Sequence, residues 1–161
     1  SIADEIRMLG NYGSEKKYIH KTQGLNSRLD PIQASILDIK LKYLDSWNQR
    51  RREIADTYLR NISFKTLLSL PSGLSLEDSV WHIFPLRCNS RDKLIHNLSN
   101  KGIETLIHYP IPPHKQMAYS ELASLDLKIA EKMSEELISL PMGPHLSDEQ
   151  VSYVVEALSE F

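Results

Sequence analysis

Cysteine is almost missing from this sequence, which contains a single one, Cys88, among 161 residues. One cysteine cannot form an internal disulfide bond or a cysteine-based zinc site, and it is typical of a reducing, cytoplasmic environment. Glycine is scarce as well, with six residues, and none of them has the spacing of a dinucleotide-binding or P-loop phosphate motif. These shortages exclude a disulfide scaffold and two common glycine-rich nucleotide sites.

The sequence also lacks a strong excess of either charge, since 19 Lys and Arg residues face 21 Asp and Glu residues, for a net charge of −2. This balance gives no electrostatic reason to expect nucleic acid or an anionic membrane as a partner. No apolar run approaches the roughly 20 residues that span a bilayer. A hydrophobic content of 41% suffices for the core of one ordinary domain.

Metal-binding patterns are missing too. Six histidines are present, but three prolines separate His108 from His114, and no cysteine or carboxylate pattern accompanies the pair. Three consecutive arginines at residues 50–52 lie beside Glu53 and Asp56, a pattern typical of a solvated helix face with charge pairs. We therefore expect no metal site.

The longest regular pattern of the sequence covers residues 30–61. Asp30 suits a helix N-cap, Pro31 suits the first helical position, and Gln33 can complete a start of the capping-box type. The apolar residues that follow recur at helical intervals; they are Ile32, Ile36, Ile39, Tyr43 and Trp47, flanked by Leu37, Leu41 and Leu44. No glycine or proline follows Pro31 in this stretch, so the pattern predicts one long helix with an apolar stripe.

The shorter patterns predict a small α/β layer domain after this helix. Strand patterns lie at residues 80–88, 103–107 and 137–140, with a short extended piece near 66–70. Helix patterns lie at residues 90–100, at 128–136 and from Ser147, which forms a capping box with Gln150. Pro85 favours an edge position for its strand. Upstream, residues 2–9 are predicted to be the end of a helix, and residues 14–25 are predicted to be irregular.

Two polar clusters are candidate sites. Asn26, Ser27 and Arg28 offer amide, hydroxyl and guanidinium donors just ahead of a predicted helix start, where anions bind; simple capping and loop anchoring explain them equally well. Residues 108–114 place two imidazoles and a phenol on a backbone stiffened by proline, as a site for a polar ligand requires. A rigid crossover is the alternative there. The residues alone thus predict an α/β chain that binds an anionic, hydroxyl-rich ligand.

Five runs of residues in order along the chain resemble the DegT/DnrJ/EryC1/StrS family of sugar aminotransferases. They include Asn-Tyr-Gly-Ser-Glu-Lys-Lys-Tyr at residues 11–18, Gly-Leu-Asn-Ser-Arg-Leu-Asp at 24–30 and Leu-Ile-His-Tyr-Pro-Ile-Pro-Pro-His at 106–114, with further runs at 40–52 and 140–150. The resemblance implies a pyridoxal-phosphate-dependent enzyme of fold type I. Such an enzyme moves an amino group, usually from glutamate, onto a keto-deoxysugar linked to a nucleotide, and the runs are most similar to members that use dTDP sugars.

The resemblance also implies that the chain is the C-terminal portion of such an enzyme. Residues 1–30 would be the end of a large-domain helix and an active-site loop, residues 31–62 a long connecting helix, and residues 63–161 a small domain with a mixed or antiparallel sheet. The lysine that forms a Schiff base with the cofactor lies upstream in the family, so this chain alone is expected to be inactive. The alternative is a non-catalytic module that binds a nucleotide-sugar or phosphate, or that serves dimerisation.

Cofactor-binding residues are implied at the first cluster. Asn26 matches the family asparagine that reaches the cofactor phosphate of the other subunit in a homodimer, and Ser27 and Arg28 flank it. Arg28 is therefore a second cofactor-binding candidate. Gly10 departs from the family pattern, which more often has arginine at that position.

Substrate-binding residues are implied elsewhere. Tyr18 and His20 lie on a loop that would approach the nucleotide-sugar of the partner subunit. His108 and Tyr109 match residues that line the sugar pocket, and His114 is a further candidate beside them. The expected products are amino sugars for cell-surface polysaccharides, such as the O-antigen of lipopolysaccharide, or for other amino-sugar pathways.

Overall fold

The computed structural model describes residues 1–62, 68–73 and 75–161. These residues divide into two units, Ser1–Leu44 and Asp45–Phe161. The two units differ in how they are held together, because large apolar side chains are buried in the second unit but not in the first. Each unit is described by itself below.

The first unit begins with helix α1 (Ile2–Leu9), as the sequence predicts. A small antiparallel hairpin follows, formed by strands β1 (Ser14–Lys16) and β2 (Ile19–His20). The prediction of irregular structure at residues 14–25 is therefore wrong for this part. Its turn contains Tyr18 at a φ of 67°. Tyrosine rarely takes this conformation, and hairpin turns of this kind usually contain Asn or Gly. The sequence therefore carries no signal for this turn.

The predicted long helix is interrupted. Helix α2 (Pro31–Leu41) and helix α3 (Leu44–Asn61) are separated by two residues. In between, the amides of Lys42 and Tyr43 donate to the carbonyls three residues back, Ile39 and Lys40, at 3.3 and 3.0 Å. This tighter spacing breaks the α-helical ladder. Neither glycine nor proline marks the break, which is why the apolar periodicity did not reveal it.

Of the two predicted capping boxes, one forms. At the last helix, α6 (Asp148–Ser159), the Ser147 hydroxyl accepts from the Gln150 amide at 3.2 Å and the Gln150 side chain accepts from the Ser147 amide at 3.0 Å. Asp30 is the N-cap residue of α2, but its side chain makes no capping hydrogen bond. The box with Gln33 is therefore wrong, and Pro31, which presets the helical φ, begins α2 without it.

The second unit is built on a three-stranded antiparallel sheet in the order β3–β4–β5. Its strands are β3 (Leu68–Ser69), β4 (Phe84–Cys88) and β5 (Leu137–Leu140). The strand β4 is shorter than predicted, because Trp81 has a φ of 49° and the extended backbone begins only after it. The edge position predicted for this strand is wrong, because β4 is the central strand. Pro85 is tolerated there because it lies beyond the residues that pair with β3, which end at Arg87.

The structure also tests the extended segments predicted at residues 66–70 and 103–107. Residues 66 and 67 lie outside the described residues, and the rest of the first segment contains β3. The predicted strand at 103–107 is wrong, because Leu106 alone forms a bridge, to Ser139 of β5.

Helices pack around this sheet where the sequence predicts them: α4 (Arg91–Asn100), α5 (Lys128–Glu136) and α6 (Asp148–Ser159). The core contains an aromatic group in which Phe84 lies 5.0 Å from Tyr58 and 5.5 Å from Trp81, centroid to centroid. Helices with a small antiparallel sheet are the predicted fold class. Among the described residues, no helix is long and apolar enough to cross a membrane.

The first unit, by contrast, leaves its apolar side chains exposed. Within Ser1–Leu44, all of which is described, no large apolar residue is buried. The predicted apolar stripe is exposed on α2, with Ile32 76% accessible and Leu37 53%. Trp47, predicted to extend the stripe, lies on α3 and is half-buried.

Tyr58 tests the core of the second unit. Its hydroxyl donates to the Pro141 carbonyl at 2.9 Å, and burial raises the pKa of the phenol. Replacing Tyr58 with Phe leaves a carbonyl without its donor, so we expect the free energy of unfolding to fall by about 1–3 kcal/mol. Urea denaturation of the purified chain measures this.

The matched control is Tyr153→Phe. The Tyr153 hydroxyl makes the same kind of bond, to the Lys101 carbonyl at 3.1 Å, but the side chain is exposed. Water can replace that donor, so the change should stay within about 0.5 kcal/mol. Equal losses in the two variants would show that burial does not decide the strength of these bonds.

Candidate functional site

The segment that carries Asn26 is held against the end of α1 by backbone hydrogen bonds. The amide of Leu25 donates to the Leu9 carbonyl at 2.8 Å, and that of Ser27 donates to the Gly10 carbonyl at 2.9 Å. A side chain at Gly10 would place its Cβ 2.6 Å from the Ser27 carbonyl oxygen. Glycine at this position therefore permits the close approach of the two segments.

Asn26 and Arg28 form a pair in this segment. The Nε of Arg28 donates to the Oδ1 of Asn26 at 2.9 Å, and its guanidinium carbon lies 6.0 Å from the centre of the Tyr12 ring. The bond uses the carboxamide oxygen of Asn26. Its nitrogen, Nδ2, makes no hydrogen bond within the described part of the chain. This donor set suits the phosphate group of a cofactor, because an exposed amide nitrogen and a guanidinium are both donors to phosphate oxygens.

The hairpin carries the next two candidates. The Nδ1 of His20 donates to the Tyr12 carbonyl at 2.9 Å, because a carbonyl can only accept. The Nε2 of the neutral ring is thereby left as an acceptor. Tyr18 is 82% accessible at the turn, with the Lys17 ammonium 5.1 Å from its ring centre. Both side chains belong to the same unit as Asn26.

His108 and Tyr109 lie together in the second unit. The Nδ1 of His108 is 2.8 Å from the Ser139 hydroxyl, and the two rings meet edge to face with centroids 5.5 Å apart. Tyr109 is 70% accessible. His108 also lines a cavity of about 230 Å³. The arrangement therefore presents a fixed imidazole and a free phenol beside a small cleft.

Sequence reasoning missed the other walls of this cleft. The cavity of about 230 Å³ is also lined by Ser139, His82 and Glu104. Glu104 and Leu106 also line a larger cavity of about 830 Å³, which reaches Tyr153 on α6. No motif marks these residues, because they come from separate segments that only the fold brings together. Ser139 in particular is placed beside His108 by the bridge between Leu106 and Ser139, which the sequence does not reveal.

His114 has a different environment. Its ring is 3% accessible, and its Nε2 lies 3.0 Å from the Oε1 of Glu131 on α5. The Lys115 ammonium lies 3.3 Å from the same oxygen. A ring that is enclosed and paired in this way anchors the loop, and a contact between His114 and a substrate stays a prediction.

Among the described residues, no group of three or more histidine, cysteine, aspartate or glutamate side chains is arranged to hold a metal ion. Arg50 is part of the predicted solvated face, but it also binds the Leu146 carbonyl at 2.8 Å and Asp148 at 2.7 Å. It therefore fastens α3 to the start of α6.

Comparison with known proteins identifies relatives of the whole chain. A family model described as the DegT/DnrJ/EryC1/StrS aminotransferase family matches residues 1–159. A dTDP-3-amino-3,6-dideoxy-alpha-D-galactopyranose transaminase of Aneurinibacillus thermoaerophilus is 48% identical over 160 residues, which are 99% of this chain and 44% of that protein. A dTDP-3-amino-3,4,6-trideoxy-alpha-D-glucose transaminase of Streptomyces venezuelae is 44% identical over 162 residues, 99% of this chain and 43% of that protein.

Solved structures agree. The crystal structure of DesV from S. venezuelae superposes with a TM-score of 0.92 at 43% identity, covering 99% of this chain and 43% of that one. The structure of NtdA from Bacillus subtilis, with bound cofactor PMP, has a TM-score of 0.87 at 30% identity and covers 99% of this chain and 39% of that one. The chain thus spans less than half the length of these relatives.

Glu131 makes the loop anchor sensitive to acid. The hydrogen bond from His114, followed by the interactions with Lys115, lowers the pKa of this carboxyl from its usual 4.5. Stability that depends on the carboxylate is therefore present above 4.5 and is lost as the pH falls through the lower folded-state value. When the pH falls from neutral into this acid range, the free energy of unfolding should therefore decrease less in Glu131→Gln than in the parent chain.

The measurement is a series of urea midpoints against pH. Glu135→Gln is the control, because Glu135 lies exposed on the same helix and should leave the acid dependence as it is in the parent chain. An acid dependence that is identical in Glu131→Gln and the parent would refute the role given to this carboxylate.

Proposed function

The chain belongs to the DegT/DnrJ/EryC1/StrS aminotransferase family, and on that premise we propose that it works as part of a pyridoxal-phosphate-dependent aminotransferase. The enzyme transfers an amino group, from a donor such as glutamate, to a nucleotide-linked keto-deoxysugar. Two relatives that are 48% and 44% identical are transaminases of dTDP-linked amino sugars, which supports dTDP as the nucleotide. The product then serves amino-sugar biosynthesis in the cytoplasm, including that of cell-surface polysaccharides.

The observation that carries the proposal is the state of Asn26. Its oxygen is held by Arg28 at 2.9 Å, so that its amide nitrogen is presented as a donor. Pyridoxal phosphate, when bound, supplies an electron sink for the reaction at the amino-bearing carbon. The part of this chain is to hold the phosphate: Asn26 donates to an oxygen and Arg28 both orients the amide and adds positive charge.

We assign substrate recognition to the other candidates. His108 and Tyr109 contact the sugar, since a fixed imidazole and a free phenol suit its oxygens. Tyr18 and His20 contact the nucleotide part from the exposed hairpin. The lysine that binds the cofactor covalently is supplied by protein outside these 161 residues, so the chain alone does not transaminate.

The exposed apolar surface of Ser1–Leu44 supports a homodimer with shared active sites. On α1, Ile2 and Ile6 are 76% and 63% accessible, and α2 exposes its stripe as well. Large exposed apolar patches mark contact sites, and exposed apolar side chains are numerous in this unit. We propose that residues 1–30 pack with the large domain and the partner subunit, that residues 31–62 connect the domains, and that residues 63–161 form the small domain.

A chain replacement tests this function. In the 48% identical transaminase, the matching stretch is replaced by this chain, and the hybrid is assayed with glutamate and a dTDP-linked 3-keto-6-deoxyhexose. We expect amino transfer by the hybrid and none by the 161-residue chain alone. A hybrid that binds the nucleotide-sugar and the cofactor but transfers nothing would favour a non-catalytic binding module.

Asn26→Ala in the hybrid separates the cofactor role from the substrate role. Hydrogen bonds to charged groups contribute about 1.5–3 kcal/mol, so the variant should bind pyridoxal phosphate about 10- to 100-fold more weakly. His108→Ala should raise KM for the sugar and leave cofactor affinity unchanged. Asn100→Ala, at the exposed end of α4, should change neither. If Asn26→Ala retained the cofactor while His108→Ala lost it, the two assignments would be reversed.

A further inference from the structure

We propose that Ser139 is a positioning residue that fixes His108 in the tautomer with hydrogen on Nε2. The imidazole then presents an N–H donor to an oxygen atom of the substrate. This inference rests on the proposed function for the identity of that substrate, but the tautomer itself is a property of this chain alone.

The first observation is where polar side chains are buried. Among the described residues, the buried polar or charged ones are Ser139, 5% accessible, and His114, 3% accessible. Their contacts fix one loop, residues 106–115. Near its start His108 contacts Ser139, and near its end His114 contacts Glu131. Polar groups are rarely buried without a partner, and each of these two side chains finds its partner in a contact that fixes this loop.

The second observation is that the backbone of Ser139 is held on both sides. Its amide donates to the Leu106 carbonyl at 2.7 Å, and its carbonyl accepts from the Leu106 amide at 3.3 Å. On the other side it pairs with Pro85 of β4. Because the backbone of Ser139 is fixed, the direction of its hydroxyl depends on side-chain rotation toward a nearby acceptor.

The third observation concerns that acceptor. The Oγ of Ser139 lies 2.8 Å from the Nδ1 of His108, and the described chain offers its hydroxyl hydrogen no other acceptor. If Nδ1 carried the ring hydrogen, the hydroxyl would have to accept it and turn its own hydrogen away from the ring, where the described chain offers no acceptor. The serine hydroxyl therefore donates, Nδ1 accepts, and the hydrogen of the neutral ring is on Nε2.

The consequence concerns the kind of group that His108 can recognise. An Nε2–H donor suits a keto or hydroxyl oxygen and does not suit a hydrogen-bond donor such as an ammonium group. Ser139 thus acts through His108 without touching the substrate. By holding the ring in the tautomer with hydrogen on Nε2, it favours a ligand that presents an oxygen acceptor over one that presents a hydrogen-bond donor.

Nitrogen NMR of the 161-residue chain, with ¹⁵N-labelled histidine and in the absence of ligand, tests the tautomer. The parent chain should show His108 with a protonated Nε2 and an unprotonated Nδ1. Ser139→Ala keeps the backbone bridge but should shift the ring toward a mixture of tautomers. Ser139→Thr, which retains the hydroxyl, should preserve the parent pattern.

Ser134→Ala is the control, because the Ser134 hydroxyl donates to the Glu131 carbonyl at 2.6 Å and not to His108. A protonated Nδ1 in the parent chain would overturn the proposal, and this outcome needs no variant to fold. An unchanged His108 signal in a folded Ser139→Ala chain would overturn it as well.

The hybrid enzyme adds a functional measurement. Ser139→Ala should raise KM for the sugar by about two- to tenfold, the effect of one hydrogen bond between neutral groups, with a smaller change in kcat. The expected tautomer together with an inactive parent hybrid would contradict the proposed function and still support the Ser139 contact. The expected tautomer with an unchanged KM in an active hybrid would overturn the recognition role given to His108.

Discussion

Packing of Tyr58 and Trp81 against Phe84 is the interaction on which the second unit depends. Phe84 begins the central strand, and its ring lies within 5.5 Å of both neighbours, centroid to centroid. The Tyr58 hydroxyl then ties α3 to Pro141, directly after β5. Because β5 carries Ser139, this core also determines where His108 is held.

The first unit has no comparable core, and this difference bears on function. Its segments are joined by backbone hydrogen bonds at places where glycine allows close contact, such as Gly10 beside Ser27, while its large apolar side chains remain accessible. Burial of apolar surface is the main favourable term in folding. The groups that we assign to the cofactor therefore lie in the unit whose apolar side chains are exposed, and those that we assign to the sugar lie in the unit built around its own core.

The sequence predicted the elements that depend on local signals. The capping box of Ser147 and the helices around the sheet follow from residue patterns, whereas the role of Asn26 stays a prediction from its motif. Tertiary packing decided the rest. The turn at Tyr18, the break after Leu41 and the loss of the strand at 103–107 depend on contacts or torsion angles that carry no local signature. Ser139 is not recognisable in the sequence either, because its role arises from its register with Leu106.

Amide hydrogen exchange of the 161-residue chain tests most directly whether the two units differ in self-sufficiency. Exchange is measured at decreasing concentrations, so that self-association through the exposed surface can be separated from folding. The account predicts strong protection in β4, β5, α3 and α6, and exchange in Ser1–Leu44 that is faster by orders of magnitude. Protection of Ser1–Leu44 equal to that of the sheet, persisting at the lowest concentration, would contradict it.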